Sequence, residues 1–380
     1  MFDVVIIGAG LAGAVLAERF ATQSDKKVLL VERRQHVAGN CYDKVDGNGI
    51  LIHKYGPHLF HTDDEEVWNY LSKFTEWQNY QHHVKALVDG QAVPLPFNLN
   101  TLHKVFPKSL AERLESVLLK NYPYGKKIPI LELKKSSDAD LQFLADFIYE
   151  KIFLHYTEKQ WGQTPEQISG AVTARVPILI GRDDRYFHDK FQAVPARGYT
   201  ALVKKMIFQK NIKLMLNTDF HEVLNIHGHE IYLFGHKFYG RLIYTGQLDE
   251  LFDCKFGALP YRSVKMKFET IHAENFQTAA TVNYPNDYDF TRITEFKNIH
   301  PVQSSRTTIL KEYPQEYVAG KNSPYYPLFT DEAKAAYEKY FEELKNLPRV
   351  KAVGRLAEYR YFDMDDVVRR ALNVFAELSA

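Results

Sequence analysis

The sequence predicts an α/β fold whose parallel sheet is assembled from three separated stretches of chain, with a helical insert and an antiparallel β-sheet insert between them. Three observations predict it. A strand–turn–helix–strand unit with three glycines opens the chain over residues 3–32. Helix and strand alternate again near 200–246, and a third time from about 350. The segments in between keep other rhythms, helical over 108–160 and strand-like over 261–314.

Taken in order, DVVII (3–7) is a short apolar strand. Gly8, Gly10 and Gly13 follow in G-x-G-x-x-G spacing and enter a helix that runs through Glu18, and KVLLVE (27–32) is the second strand. Such glycines permit a tight turn, close approach of the backbone to a pyrophosphate, and close helix–strand packing. The helix N-terminus then faces the phosphates, and Glu32 can accept a hydrogen bond from an adenosine ribose. The unit therefore predicts an ADP-containing cofactor. RRQHVAGN (33–40) interrupts the alternation at once, followed by the turn HKYGPHLFHT (53–62) and a hairpin over 83–96 that turns at Asp89-Gly90. That interruption favours FAD over NAD, because a flavin has to be cradled by inserted segments.

Two helices, SLAERLESVLL and DADLQFLADFIYEKIF, fill most of 108–160. Alternation resumes with helix TALVKKMIF, strand IKLMLN and strand RLIYTG (241–246), and YRSVKMKFETI, FQTAATVNYP, FTRITEF and TTILKEYP form a β-rich block. A helix over 332–347 precedes VKAVGRL, and the last helix starts after Asp363, near Met364. A Rossmann-like FAD-binding domain thus comprises 1–82, 191–246 and 346–380. Residues 83–100 are a hairpin joining the sheet domain, 101–190 a helical substrate-lid domain, and 247–345 the antiparallel sheet domain.

Composition is that of a globular protein, 45% hydrophobic and 25% charged in 380 residues. Net charge is +1, so no global field draws the chain to nucleic acid or to acidic membranes, and anionic partners must be met by local arginines. Two cysteines, Cys41 and Cys254, point to a reducing compartment. Asp3 stands where a signal peptide would carry basic residues, and apolar runs fall short of the ~20 residues that span a bilayer. The expectation is a cytoplasmic enzyme. Histidines 53, 58, 61, 82 and 83 have no acid or cysteine at ligand spacing, so no metal site is expected.

GAGLAG, HKYGPHLFHT, LPFNLNT, YTEKQWG (156–162), RVPI (175–178), GYT (198–200), YTG (244–246), TRITE (291–295), PYYP (324–327) and GRLAEYRYFDMD (354–365) occur in this order. Together they resemble the bacterial UDP-galactopyranose mutases over nearly the whole chain. The resemblance implies an isomerase that interconverts UDP-galactopyranose and UDP-galactofuranose for cell-surface polysaccharide. It works on reduced FAD, whose N5 forms a covalent adduct with the sugar. It also implies a homodimer and a reductant such as NAD(P)H or a reductase.

Site residues follow by match to those motifs. Arg175 and Arg292 clamp the diphosphate, for which a planar, permanently charged fork is suited, and Tyr325 and Tyr361 hydrogen-bond its oxygens. Phe153, Tyr156, Trp161 and Tyr186 form the uridine pocket and lid, with Thr157 and Asn283 also contacting substrate. His58 and His61 lie beside the flavin and sugar. Leu11, Ala12, Arg33, Asn40 and Leu59 join Gly8, Gly10, Gly13 and Glu32 around the cofactor. Arg355, Tyr361, Asp363 as N-cap, and Met364 face the flavin pyrimidine edge, where a helix N-terminus and a guanidinium favour negative charge. His53 reads as structural, and the turn-rich stretch 181–189 reads as a loop that closes over substrate.

Two positions depart from the pattern. Ala38 replaces the first glycine of a Gly-Gly-Asn, at little cost if its backbone is ordinary, and His82 stands where relatives often carry asparagine in the substrate site. Relatives that prefer UDP-N-acetylgalactosamine often have arginine at the position of His58, so His58 favours the unsubstituted sugar over that alternative. A flavin amine oxidase shares the nucleotide fold, but paired arginines and a uridine pocket have no role in oxidising an amine. The rival reading of Arg292 is a surface ion pair with Glu295.

Overall fold

The computed structural model describes residues 2–166 and 176–379. Val4–Ile7 is the central strand of a five-stranded parallel sheet. Val28–Val31 and then Ile212–Met215 lie to one side, Arg241–Tyr244 and then Val350–Ala352 to the other. These strands are almost wholly apolar because both faces of the sheet are covered. Val4 and Ile6 enter a core shared with the helices Leu11–Gln23, Tyr199–Ile207 and Met364–Ser379. Val5 and Ile7 enter another, shared with the small sheet of 224–238 and the helix Asp331–Lys345. Val368, Ala371 and Val374 of the last helix are 0% exposed. Each of the two valines is worth roughly 1.5–3 kcal/mol on burial, so this helix is firmly docked.

The first helix runs to Gln23, beyond Glu18. An acid can sit inside it because the buried Glu18 carboxylate accepts from the Arg19 guanidinium and, at 2.8 Å, from the Tyr70 hydroxyl. The last helix begins at Met364, as the sequence predicts.

A seven-stranded sheet runs Tyr326–Pro327, Tyr261–Ile271, Thr307–Glu316, Arg292–Glu295, Thr281–Asn283, Val84–Val88, Gln91–Leu95. It is mixed rather than antiparallel: Thr281–Asn283 pairs parallel with Val84–Val88. The hairpin comes from a distant part of the chain, so no tight turn obliges it to run antiparallel. FQTAATVNYP is a strand only over Thr281–Asn283. Upstream, the amides of Phe276 and Gln277 donate to the buried Glu295 carboxylate instead of to a neighbouring strand.

In the helical insert, Asp138 caps Ala139–Ile148 by accepting from the amides of Asp140 and Leu141. The run does not stay α-helical to Phe153. A π-helical turn at Tyr149–Leu154 precedes His155–Trp161, which ends at Gly162 in the left-handed region (φ 71°). The wider turn re-phases the helix, so that Phe153, Tyr156, Thr157 and Gln160 all face one cavity.

Residues 181–189 are tied down at several points. The Asn98 amide donates to the Asp183 carbonyl and the Asp184 carboxylate, Asn100 donates to the Arg182 carbonyl, and the Tyr186 N–H donates to the His82 carbonyl at 2.7 Å. Polar residues of this turn-rich stretch are the anchors. Among the described residues no helix is long and apolar enough to cross a membrane.

Candidate active site

Two cavities adjoin at the C-terminal ends of the parallel strands, beside the point where strand order reverses about Val4–Ile7. They share Asn40, His58, Arg355, Asp363 and Met364.

The smaller cavity is built on the glycine turn. Gly8 has φ 100°, and a Cβ there would lie 2.1 Å from Thr245 Oγ1. A Cβ on Gly13 would meet the Gly8 carbonyl oxygen at 1.9 Å. Gly10 differs: its Cβ would meet nothing closer than Gly39 Cα at 3.7 Å, so its open side faces the cavity, beside Leu11 and Ala12. Oxygens of the Glu32 carboxylate accept from the amides of Ala9 and Arg34, each at 2.9 Å, so the acid braces the turn as well as lining the cavity. A bare-backbone cradle at a helix N-terminus with an acid at the next strand end fits the adenosine diphosphate half of FAD.

The two arginines after Glu32 diverge. Arg33 is drawn to the rim by Glu250 at 3.2 Å and is 47% exposed. Arg34, which the sequence reading passed over, turns inward, where its guanidinium donates to Asn40 Oδ1 (3.0 Å) and lies 4.4 Å over the Tyr55 ring. The alternation of side chains leaving a strand end is the signal that could have separated them.

Ala38 takes a left-handed conformation (φ 74°, ψ 2°), so its angles are not ordinary and the alanine is strained.

At the junction, His58 Nδ1 lies 2.9 Å from the Gly56 carbonyl. A carbonyl only accepts, so Nδ1 carries the proton and Nε2 is left as an acceptor. Burial, with the charges of Arg355 and Arg292, brings the His58 pKa down to about 4, and the ring is neutral. Its backbone N–H donates to His53 Nδ1 (3.0 Å), and the fully buried His53 reaches His300, which makes His53 structural. Arg355 donates to the Phe362 carbonyl and stands 5.2 Å from the Tyr361 ring. The Asp363 N–H donates to Asp366 at 2.9 Å, the backbone half of a helix cap, and Met364 Sδ touches Cys41 Sγ. Asp365 and Asp366 in the first turn offset part of the positive field of that helix terminus. His61 is 3.2 Å from Asp189 without hydrogen-bond alignment and stacks on Phe187 at 3.6 Å. Burial works against protonating His61, but Asp189 outweighs it and the pKa is raised.

The larger cavity takes one wall from the seven-stranded sheet. Strand register sets Asn283, Arg292 and Glu312 side by side across three strands. Arg292 Nε donates to Glu312 at 2.7 Å, not to Glu295. Glu312 is the main residue that sequence reading missed, since only register reveals it. Burial opposes the charge on Arg292, but Glu312 overcomes it and the guanidinium is firmly ionised. Neither Nη group has a protein partner among the described residues.

Opposite that wall lie Phe153, Tyr156, Thr157 and Trp161, with Tyr186 and Leu59 nearby. Tyr325 and Tyr361 close one end, where Tyr326, also missed, stacks parallel to Tyr361 and reaches Trp161. Lys159, on the far side of the Trp161 helix, donates to the carbonyls of Tyr284, Tyr288 and Phe290 and fastens the helix to the sheet. Arg175 lies outside the described residues. Among those described, no cluster of three or more His, Cys, Asp or Glu is arranged to hold a metal ion.

Comparison with known proteins agrees with this architecture. The UDP-galactopyranose mutase family matches residues 151–361, and an NAD(P)-binding Rossmann-like domain family matches 6–74. A probable UDP-galactopyranose mutase of Klebsiella pneumoniae is 34% identical over 99% of this chain and 94% of its own length. A dTDP-fucopyranose mutase of Escherichia coli is 32% identical over 98% and 97%. A crystal structure of reduced UDP-galactopyranose mutase shares the fold with a TM-score of 0.76 at 16% identity, covering 100% of this chain and 94% of that one. A putrescine oxidase superposes less well, with a TM-score of 0.59 at 11% identity over 100% and 99%. The full-length relatives, the family match and a glycine cradle shaped for a dinucleotide lead to one conclusion: the chain belongs to the UDP-galactopyranose mutase family, isomerases that use FAD.

Proposed function

We propose that the protein interconverts UDP-galactopyranose and UDP-galactofuranose. The observation that carries this reading is Arg292. One buried carboxylate holds it through Nε, and both Nη groups are left for a ligand in a cavity that meets the cofactor cleft at His58, Arg355 and Met364.

The ring contraction has no net redox, so the site must let a nucleoside diphosphate leave and return while the sugar stays. Arg292 receives the diphosphate with a planar, permanently charged fork, and Arg175 is assigned the opposing clamp. Tyr325 and Tyr361 donate uncharged hydrogen bonds to the same oxygens. Phe153, Tyr156, Trp161 and Tyr186 hold the uracil, and Thr157 and Asn283 bind polar groups of the nucleotide sugar. Reduced FAD, when bound, supplies the nucleophile for the anomeric carbon. Gly8, Gly10, Gly13, Leu11, Ala12, Glu32 and Arg33 hold its adenosine diphosphate half. Asn40, Leu59, Asp363 and Met364 hold its flavin end. His58 offers Nε2 as a neutral acceptor there, and His61 flanks the sugar. Arg355 and the terminus of the last helix supply positive field at the junction.

The test incubates the purified yellow protein with UDP-galactofuranose, with and without dithionite, and separates the products by ion exchange. Conversion only after reduction is expected. No conversion, or equal conversion when oxidised, overturns the reading. Arg292→Ala is expected to abolish turnover and keep the flavin, and loss of flavin as well would show the residue misplaced. The E. coli relative supports a second substrate, dTDP-fucose, to be run in parallel. The same reading makes the protein a cytoplasmic homodimer that serves cell-surface polysaccharide and draws electrons from NAD(P)H or a reductase. Light scattering and reduction under NADPH test the dimer and the electron source.

A further inference from the structure

The larger cavity holds an imidazole to which the proposed function gives no role. His82 is 5% exposed and lines that cavity. Its backbone is fixed twice, by the Tyr186 N–H donating to its carbonyl at 2.7 Å and by the bridge from His83 to Arg185. Its ring packs against Tyr186 and Phe187, with centroids 5.7 and 5.9 Å away.

The ring's proton can be placed by elimination. Tyr80 Oη lies 3.0 Å from His82 Nδ1, and among the described residues the Tyr80 hydroxyl has no other protein partner. If Nδ1 carried the proton, the half-buried phenolic hydrogen would be left without a protein acceptor. The arrangement that satisfies both groups has Tyr80 donating to an Nδ1 lone pair, which puts the imidazole proton on Nε2. Among the described residues Nε2 has no protein partner, and it is not sealed off from the cavity. Burial, assisted by the nearby Arg292 charge, brings the His82 pKa down to about 3, and burial alone raises that of Tyr80, so both groups keep this state at neutral pH.

The position selects the ligand group. Phe187 lies between His82 and His61, and His61 follows His58 in the turn at the cofactor junction. His82 is thus one ring away from His61, which stands three residues from the junction residue His58. A neutral N–H there suits an uncharged oxygen, whereas Arg292 already serves an anion.

We propose that Tyr80 is a positioning residue that locks His82 in its Nε2–H tautomer, and that His82 donates this hydrogen bond to an oxygen of the hexose, making the pair a determinant of which sugar is accepted. This rests on the nucleotide-sugar reading above.

The test has two independent arms. In the holoprotein with 15N-labelled histidine, His82 is assigned by the signal missing from His82→Asn. An unprotonated Nδ1 with a protonated Nε2 that does not titrate between about pH 5 and 8 is expected, and a protonated Nδ1, or titration in that range, overturns the tautomer assignment. This arm needs no turnover, so it stands or falls apart from the substrate reading. In the second arm, Tyr80→Phe is expected to raise KM for UDP-galactose about 3- to 10-fold, the worth of one neutral hydrogen bond. Affinity for UDP alone should not move, and the substitution should add nothing in a His82→Asn background. His82→Gln, whose amide reaches the Nε2 position, should lose less than His82→Leu. Equal weakening of UDP, or additive effects of the two substitutions, overturns the hexose contact. If the wild type binds neither UDP-galactose nor dTDP-fucose, the substrate reading fails while the first arm still decides the tautomer.

Discussion

Glu312→Gln removes the charge that balances Arg292 and keeps the shape of the side chain. The Glu312 side chain is 3% exposed, the contact is 2.7 Å, and the Arg292 side chain is 27% exposed toward the cavity. Breaking a fully buried pair costs roughly 3–5 kcal/mol. Here the guanidinium keeps access to water in the cavity and glutamine can still accept from Nε, so we expect about 2 kcal/mol. Unfolding entropy of about 2.1 cal/mol/K per residue, over 380 residues, makes that a fall of ~2–3 °C in Tm. Nucleotide binding should move the other way. At an effective dielectric of about 20, a carboxylate some 6 Å from a bound phosphate repels it by ~3 kcal/mol before screening. UDP should therefore bind roughly tenfold more tightly to the variant, about 1.4 kcal/mol. Scanning fluorimetry and calorimetric titration of UDP read the two effects. A variant that is less stable and also binds UDP no better would refute the claim that Arg292 divides its charge between Glu312 and a ligand.

Gly10→Ala should leave the apoprotein within ~1 °C of wild type, since φ is −76° and the methyl meets only Gly39 Cα at 3.7 Å, yet it should cost the yellow colour, read as flavin absorbance per chain. Ala38→Gly relieves ~1–2 kcal/mol of left-handed strain but loses a buried methyl (~0.8 kcal/mol) and gains unfolded-state entropy, so its Tm should hardly move, whereas Ala38→Val should fall by several degrees. His58 and His300 have pKa values depressed to about 4 and His82 to about 3, against 6.5 when unfolded. The unfolded chain therefore takes up protons first, and stability present above pH ~6.5 is lost as pH falls toward 4, by up to ~1.4 kcal/mol per pH unit for each histidine. His61, with a raised pKa, opposes this in part. Urea midpoints at pH 7.5 and 5.5 check the sign.

Features governed by neighbours in sequence were legible: the glycine turn, the acid ending Val28–Val31, the Asp89-Gly90 hairpin, the start of the last helix at Met364. Features governed by strand register or by an unseen backbone angle were not. Glu312 faces Arg292 only because Thr307–Glu316 and Arg292–Glu295 pair in one register among several that period-2 patterning permits. Ala38 gives no sign of its left-handed angles, because alanine is unremarkable almost everywhere else. The π turn at Tyr149–Leu154 is hidden in a run whose apolar spacing suits an ordinary helix. Anchored polar residues at 182–186 look like solvated ones until their partners, Asn98 and Asn100, are brought alongside.

The five residues shared by the two cavities come from positions 40, 58, 355, 363 and 364. A polypeptide leaving the ribosome N-terminus first can complete its opening βαβ unit early, but the junction of the two cavities, the proposed flavin end, waits for some three hundred further residues. Loading of the dinucleotide is then a closing event of biogenesis, and a nascent chain arrested before residue 350 should emerge colourless however much FAD the cell contains.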